Sequence, residues 1–198
     1  MNRCTVASNP VSKLTEEQYL AIERAAEFRS EFVDGEMFAM SGGTNRHGLI
    51  QRNLFGELYL ALRGGACGPF GSDSRVRVSS RAYVYPDVTV VCGEQQPFDE
   101  HDDILMNPVA VFEVLSPSTE KYDRGLKSRL YRSIDSLRDY VLVDQEQVRI
   151  EQYTRQADGT WTLRDYQVPD QELKIDSIGV AIPLRRIYDR VGILPATG

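Results

Sequence analysis

The stretch whose reading decides the fold is "VAVFEVLSPS", Val109 to Ser118. Side chains along a strand alternate between faces. Val109, Val111, Glu113 and Leu115 therefore share one face, and Ala110, Phe112 and Val114 share the other. Apolar residues on both faces predict a strand covered on both sides. Ser116-Pro117-Ser118 ends it, and Ser118 or Thr119 is placed to cap a following helix. One residue does not belong in such a strand. The Glu113 carboxylate is costly in dry surroundings unless its charge is compensated.

A second carboxylate has a similar address. In "YVYPDVTVV", Asp87 follows Pro86 and precedes the run Val88-Thr89-Val90-Val91. Pro86 cannot donate a ladder hydrogen bond, so the strand is expected to be irregular or at an edge there, open to a ligand. Taken singly, Asp87 caps a turn or Glu113 pairs with an arginine. Two strand carboxylates 26 residues apart suggest a shared cation, because adjacent carboxylates repel unless one takes a proton or both find a counter-charge. Mg2+ prefers oxygen ligands and is typically held by one or two carboxylates plus water.

On the next helix Asp123, Lys127 and Tyr131 recur at every fourth position and form one stripe. Tyr122, Leu126, Leu130 and Ile134 form the apolar stripe beside it. Lys127 then either reaches the end of the Glu113 strand or pairs with Asp123 on the surface.

Elsewhere "TEEQ" is a capping box, with Thr15 at the N-cap and Gln18 three residues on, opening a helix to about Ala26. Asp34-Gly35 between two strand-forming runs predicts a hairpin. A second helix over Asn45–Leu62 would bury Ile50, Leu54, Leu58 and Ala61, and "RGGACGPFG" would break it. "DYVLVD" reads as a buried strand, and Asp158-Gly159 joins a C-terminal hairpin. The expected class is mixed α/β, with a central sheet flanked by helices, an N-terminal helix plus hairpin and a C-terminal hairpin. The expected organisation is a flexible tail over 1–13 and one domain over 14–198.

The three cysteines, Cys4, Cys67 and Cys92, are odd in number and scattered. That argues against a disulfide framework and for a cytoplasmic protein. No apolar run is long enough for a membrane span. The net charge of −6 means that any nucleic-acid role needs a local basic patch or bound cations. Lys121, Arg124, Lys127, Arg129 and Arg132 on the helix after Glu113 outnumber Glu120, Asp123 and Asp135. The acidic loop "FDEHDDI" fits no standard ligand spacing and reads as solvated.

"PD" at Pro86-Asp87 followed by "EVL" at Glu113-Val114-Leu115 resembles the PD-(D/E)XK nuclease superfamily. The longer strings "YPDVTVV", "VFEVLSPSTEKYDRGLKSRLY" and "RDYVLVD", with "EFVDGEMFAMSG" and "RHGLI", are similar to the Uma-type restriction endonuclease family, over roughly Thr15 to Tyr188. The resemblance implies a restriction-endonuclease-like core and a Mg2+-dependent DNA endonuclease, with Mn2+ able to substitute. Asp87 and Glu113 become metal ligands, and the backbone carbonyl of Val114 a third. The superfamily lysine, two positions after the glutamate, is Leu115 here. The Uma-type pattern places a lysine on the next helix instead, at Lys127, to stabilise the transition state. His47 matches a family histidine, as phosphate contact or proton carrier, or else as a capping or packing residue. The free N–H groups of its helix would also suit a phosphate. Glu31 is a further acidic contributor, and Glu36 also matches; both also read as ordinary hairpin polarity. Cutting both strands of DNA implies a homodimer. The alternative is a nuclease fold that binds without cutting.

Overall fold

A computed structural model describes residues 13–40 and 42–194. The expected tail therefore lies outside the described residues except for Lys13.

Helix α1 spans Glu16–Ala25, and its capping box closes as expected, with the Thr15 hydroxyl accepting from the Gln18 N–H. Strands β1 (Ser30–Val33) and β2 (Glu36–Ala39) form the hairpin. Asp34 and Gly35 both have positive φ, at 52° and 90°, the backbone that a tight two-residue turn requires. Helix α2 is Asn45–Leu62. Its inward row ends on Leu62, while Ala61 is exposed, which corrects the expected row by one residue. The apolar side chain of Leu62 gains more from burial than a methyl group would.

The glycine-rich segment after α2 is not a plain breaker. Cys67–Gly71 is strand β3, paired antiparallel with β6 (Val88–Cys92). β4 is Arg75–Ser79 and β5 is Ala82–Val84. The short β7, Ile104–Leu105, lies within the acidic loop, and β8 is Pro108–Leu115. β9 (Asp139–Asp144), β10 (Ile150–Arg155), β11 (Trp161–Tyr166), β12 (Glu172–Ile175) and β13 (Val180–Pro183) complete the strands, and a short helix α4 spans Leu184–Ile187.

The mixed class stands, with the strands divided between sheets. One sheet runs β2-β1-β5-β4-β7, a second β11-β10-β9-β8-β6-β3, and β12-β13 form a third. β8 lies at the interior of the six-stranded sheet, parallel to β9 and antiparallel to β6. As the alternation requires, Ala110, Phe112 and Val114 pack with Ile50, Leu54 and Leu58 of α2 on one face. Val111 and Leu115 pack on the other, with Tyr131, Leu137 and Tyr140 and with Val76 and Val84 of the five-stranded sheet. On the outer face of that sheet, Tyr19 and Leu20 of α1 meet Phe32 and Tyr83. Tyr85-Pro86-Asp87 is the joint where the chain leaves one sheet and enters the other. This is the irregularity expected at Pro86.

The expectation of unpaired cysteines is corrected. Cys67 and Cys92 stand directly opposite each other in the β3–β6 ladder and form a disulfide. The pairing was hidden because the segment holding Cys67 reads as a loop. With it goes the cysteine argument for a reducing compartment. Among the described residues no helix is long and apolar enough to cross a membrane.

Candidate active site

The site lies where the two large sheets meet, and α2 and the helix after β8 close it. That helix, α3, has three consecutive parts: α-helical Glu120–Tyr122, a π turn over Asp123–Lys127 and α-helical Ser128–Arg132. π turns are uncommon and concentrate at functional sites. Here the buried stripe is Asp123, Lys127 and Tyr131, whereas Leu126 and Leu130 are only half-buried. The reading of Asp123 and Lys127 as a surface pair is overturned.

The Lys127 ammonium lies 2.9 Å from Glu31 Oε1, 2.9 Å from Glu113 Oε1 and 3.7 Å from Asp123 Oδ1. The four residues are 6%, 5%, 3% and 2% exposed, respectively. Glu31 comes from β1 and Glu113 from β8, so one ammonium joins the two sheets. The Tyr131 hydroxyl donates to Glu113 Oε1 at 2.7 Å. Glu31 Oε1 also accepts the Tyr85 N–H, at 3.1 Å.

Asp87 Oδ2 accepts the Val114 N–H at 2.7 Å and lies 3.2 Å from His47 Nε2. The Thr44 hydroxyl caps α2 by accepting the His47 N–H, so that N–H is already used. Asp87, Glu113, Lys127, His47, Glu31 and Val114 all line one cavity of about 630 Å³. Glu36 does not join them; it is exposed at the start of β2.

Burial pushes the Glu113 carboxyl well above its usual range; Lys127 opposes the rise, and Asp123, Asp87 and Glu31 add to it. Burial also raises Asp123, again opposed by Lys127. Burial alone would lower the Lys127 ammonium, but Glu113, Glu31 and Asp123 outweigh it and hold it well above the ordinary value. His47 is likewise raised, Asp87 and the Val114 backbone outweighing burial.

Four carboxylates thus face one ammonium and one imidazole. Asp87 Oδ1 and Glu113 Oε2 have no hydrogen-bond donor among the described residues, while their partner oxygens are fully engaged. Among the described residues no group of three His, Cys, Asp or Glu side chains is gathered as a metal cage. This donor set suits Mg2+, which keeps most of its water and needs only one or two carboxylates. It does not suit zinc, which takes four tetrahedral ligands rich in nitrogen and sulfur.

Asp123 and Tyr131 share the stripe of Lys127 but are not among the candidate site residues read from sequence; the structure brings them beside those residues. Their signal was the spacing of four with Lys127. Tyr122, whose buried hydroxyl has no partner among the described residues, also lines the cavity. The "FDEHDDI" loop is a salt-bridge partner: Arg24 donates to Asp99 at 2.7 Å and to Asp103 at 2.8 Å. The basic excess on α3 is largely internal. Arg124 pairs with Glu120 and Glu151, and Lys127 is buried in the site.

Two sheets meet over buried carboxylates, and their arrangement matches a nuclease-like fold. A solved structure titled as "a putative nuclease belonging to DUF820 from Anabaena variabilis" superposes with a TM-score of 0.74, at 16% identity, covering 90% of this chain and 99% of that one. The chain belongs to the Uma2 family, described as "Putative restriction endonuclease", whose model matches residues 16–185. It is 39% identical over 183 residues to the uncharacterized protein slr1290 of Synechocystis, covering 91% of this chain and 94% of that protein. A second Synechocystis protein, the uncharacterized sll1609, is 33% identical over 162 residues, covering 81% and 92%.

Proposed function

We propose that the protein is a Mg2+-dependent endonuclease that hydrolyses DNA phosphodiester bonds. The observation that carries this reading is the pair of free oxygens, Asp87 Oδ1 and Glu113 Oε2, on two carboxylates of one cavity. Asp87, Glu113 and the Val114 carbonyl would hold the metal, and Mn2+ would substitute. When bound, the metal lowers the pKa of a coordinated water and screens phosphate charge.

The remaining work falls to the chain's own residues. The Lys127 ammonium lies beside Glu113 and stabilises negative charge developing on the phosphoryl oxygens. His47, held by Asp87 through Nε2, would offer the proton at Nδ1 to a phosphate or leaving oxygen. Tyr131 fixes the Glu113 rotamer, and Glu31 fixes the ammonium. Cutting both strands of a duplex would call for two sites, hence a homodimer, which sedimentation measures directly.

The test is cleavage of supercoiled and single-stranded DNA with Mg2+, Mn2+ or EDTA. Activity that persists in EDTA, or in Asp87→Ala and Glu113→Ala, rejects the reading. One observation favours a second reading. Lys127 is already paired with Glu31 and Glu113, as in a fold that binds DNA without cutting it. That reading predicts DNA binding without turnover, and Lys127→Ala binding as tightly as the wild type.

A further inference from the structure

The cavity has an unusual wall. Phe38 stands directly opposite Glu31 in the β1–β2 ladder, so their side chains share the inward face of that sheet. Met40 continues the same row, its N–H donating to the Arg29 carbonyl at 3.0 Å. β2 is the edge strand of its sheet, and the described residues leave both side chains partly open. Phe38 is 46% exposed and Met40 40%, yet both line the cavity whose floor holds Glu31, Glu113 and Lys127. An aromatic ring half open to water beside a buried ionic cluster leaves part of its apolar face free to meet a ligand.

The charge of the wall is equally informative. Among the described residues, Lys127 and His47 are the only lining side chains able to carry positive charge. Both are already engaged by carboxylates. Duplex binding is dominated by cations that neutralise a row of phosphates, and among the described residues the cavity lining has no such row. Unpaired strands are bound differently, by stacking successive bases on aromatic side chains. A paired base cannot lie on Phe38 unless it leaves the helix.

We infer that Phe38, with Met40 beside it, is a stacking platform for an unpaired base next to the scissile phosphate, and that the substrate is single-stranded or locally unpaired DNA. This rests on the reading of the site as a phosphodiesterase and narrows its substrate. A single strand needs one site, so cutting it does not require the second copy that duplex cleavage calls for.

Two readouts separate the inference from the reading beneath it. Oligonucleotides carrying 2-aminopurine are titrated with wild-type protein, Phe38→Ala and Phe38→Trp, with Ca2+ in place of Mg2+, and the fluorescence is followed. Matched single-stranded, bubble and duplex substrates are then cleaved with Mg2+ or Mn2+. Stacking on one ring predicts that Phe38→Ala weakens single-strand binding roughly 5- to 150-fold. Phe38→Trp should restore it, and bubble and single strand should be cut at least about 10-fold faster than duplex. Duplex competing as well as single strand, or Phe38→Ala binding like wild type, overturns the inference. Cleavage that ignores Phe38 overturns it alone and leaves the endonuclease reading standing. Base quenching that depends on Phe38, with no cleavage under either metal, upholds the platform and removes the hydrolytic reading.

Discussion

Replacing Lys127 by methionine removes the ammonium that faces Glu31, Glu113 and Asp123 while keeping an apolar stem of similar length. The wild-type contacts are 2.9, 2.9 and 3.7 Å, and the lysine side chain is 7% exposed. Removing one member of a buried ion pair costs about 3–5 kcal/mol, because the partner charge is left uncompensated. Three carboxylates lose their counter-charge here, but they border a cavity that admits water, so the lower end, about 3 kcal/mol, is the better figure. Unfolding entropy near 2.1 cal/mol/K per residue gives about 0.42 kcal/mol/K for this chain, so Tm should fall by about 7 °C. The assay is thermal unfolding by circular dichroism at pH 8 and low salt with EDTA. Adding Mg2+ should recover more of the loss in the variant than it adds to the wild type, because the cation meets carboxylates no longer neutralised. A Lys127→Met protein melting within 1 °C of wild type in EDTA would show that the ammonium compensates nothing, and the electrostatic account of the site would fall with it.

Other expectations follow from other contacts. Tyr131→Phe removes the 2.7 Å hydrogen bond to Glu113, which should cost about 1–2 kcal/mol, roughly 2–5 °C in Tm; an unchanged melt would contradict it. Arg24 holds the Asp103 carboxyl below its usual range. Its contribution to stability is therefore present above the unfolded carboxyl value and lost as pH falls through the lower folded one. Asp103→Asn should accordingly be less stable at pH 7 and lose less on further acidification below pH 4, as measured by urea midpoints. The Cys67–Cys92 bridge spans 25 residues, for which the chain-entropy relation gives roughly 3.5 kcal/mol. Cys67→Ser should shift the urea midpoint downward without reductant, and match the wild type when dithiothreitol is present.

What the sequence disclosed was whatever depends on neighbours along the chain. Thr15 with Gln18 and Asp34 with Gly35 carry their own local geometry, and both formed as expected. Asp87 and Glu113 stood out because a carboxylate in an apolar strand is conspicuous whatever the tertiary structure. Lys127 was harder. Its spacing from Asp123 fits a surface pair equally well, and which side of α3 faces inward is set by packing against strands distant in sequence. Cys67-Gly68-Pro69-Phe70-Gly71 has the composition of a loop, and pairing with β6 overrides that propensity. Phe38 was invisible for the opposite reason: an aromatic residue in a strand is ordinary until its neighbour across the ladder is known to be Glu31.

The π turn of α3 carries a consequence for how the site can be gained or lost. Its ring closes over one residue more than an α-helical turn would use. Deleting Gly125, which carries no side chain and meets nothing within 4 Å of where a Cβ would stand, would return the segment to ordinary pitch. Each residue turns an α-helix by about 100°, so Asp123 and Lys127, then three apart, would stay neighbours on one face while the ammonium was turned relative to Glu31 and Glu113. The aim of that one charge is thus set by chain length at a single point. A deletion of one codon would leave the sheets intact and re-aim the ammonium, where a substitution would remove it.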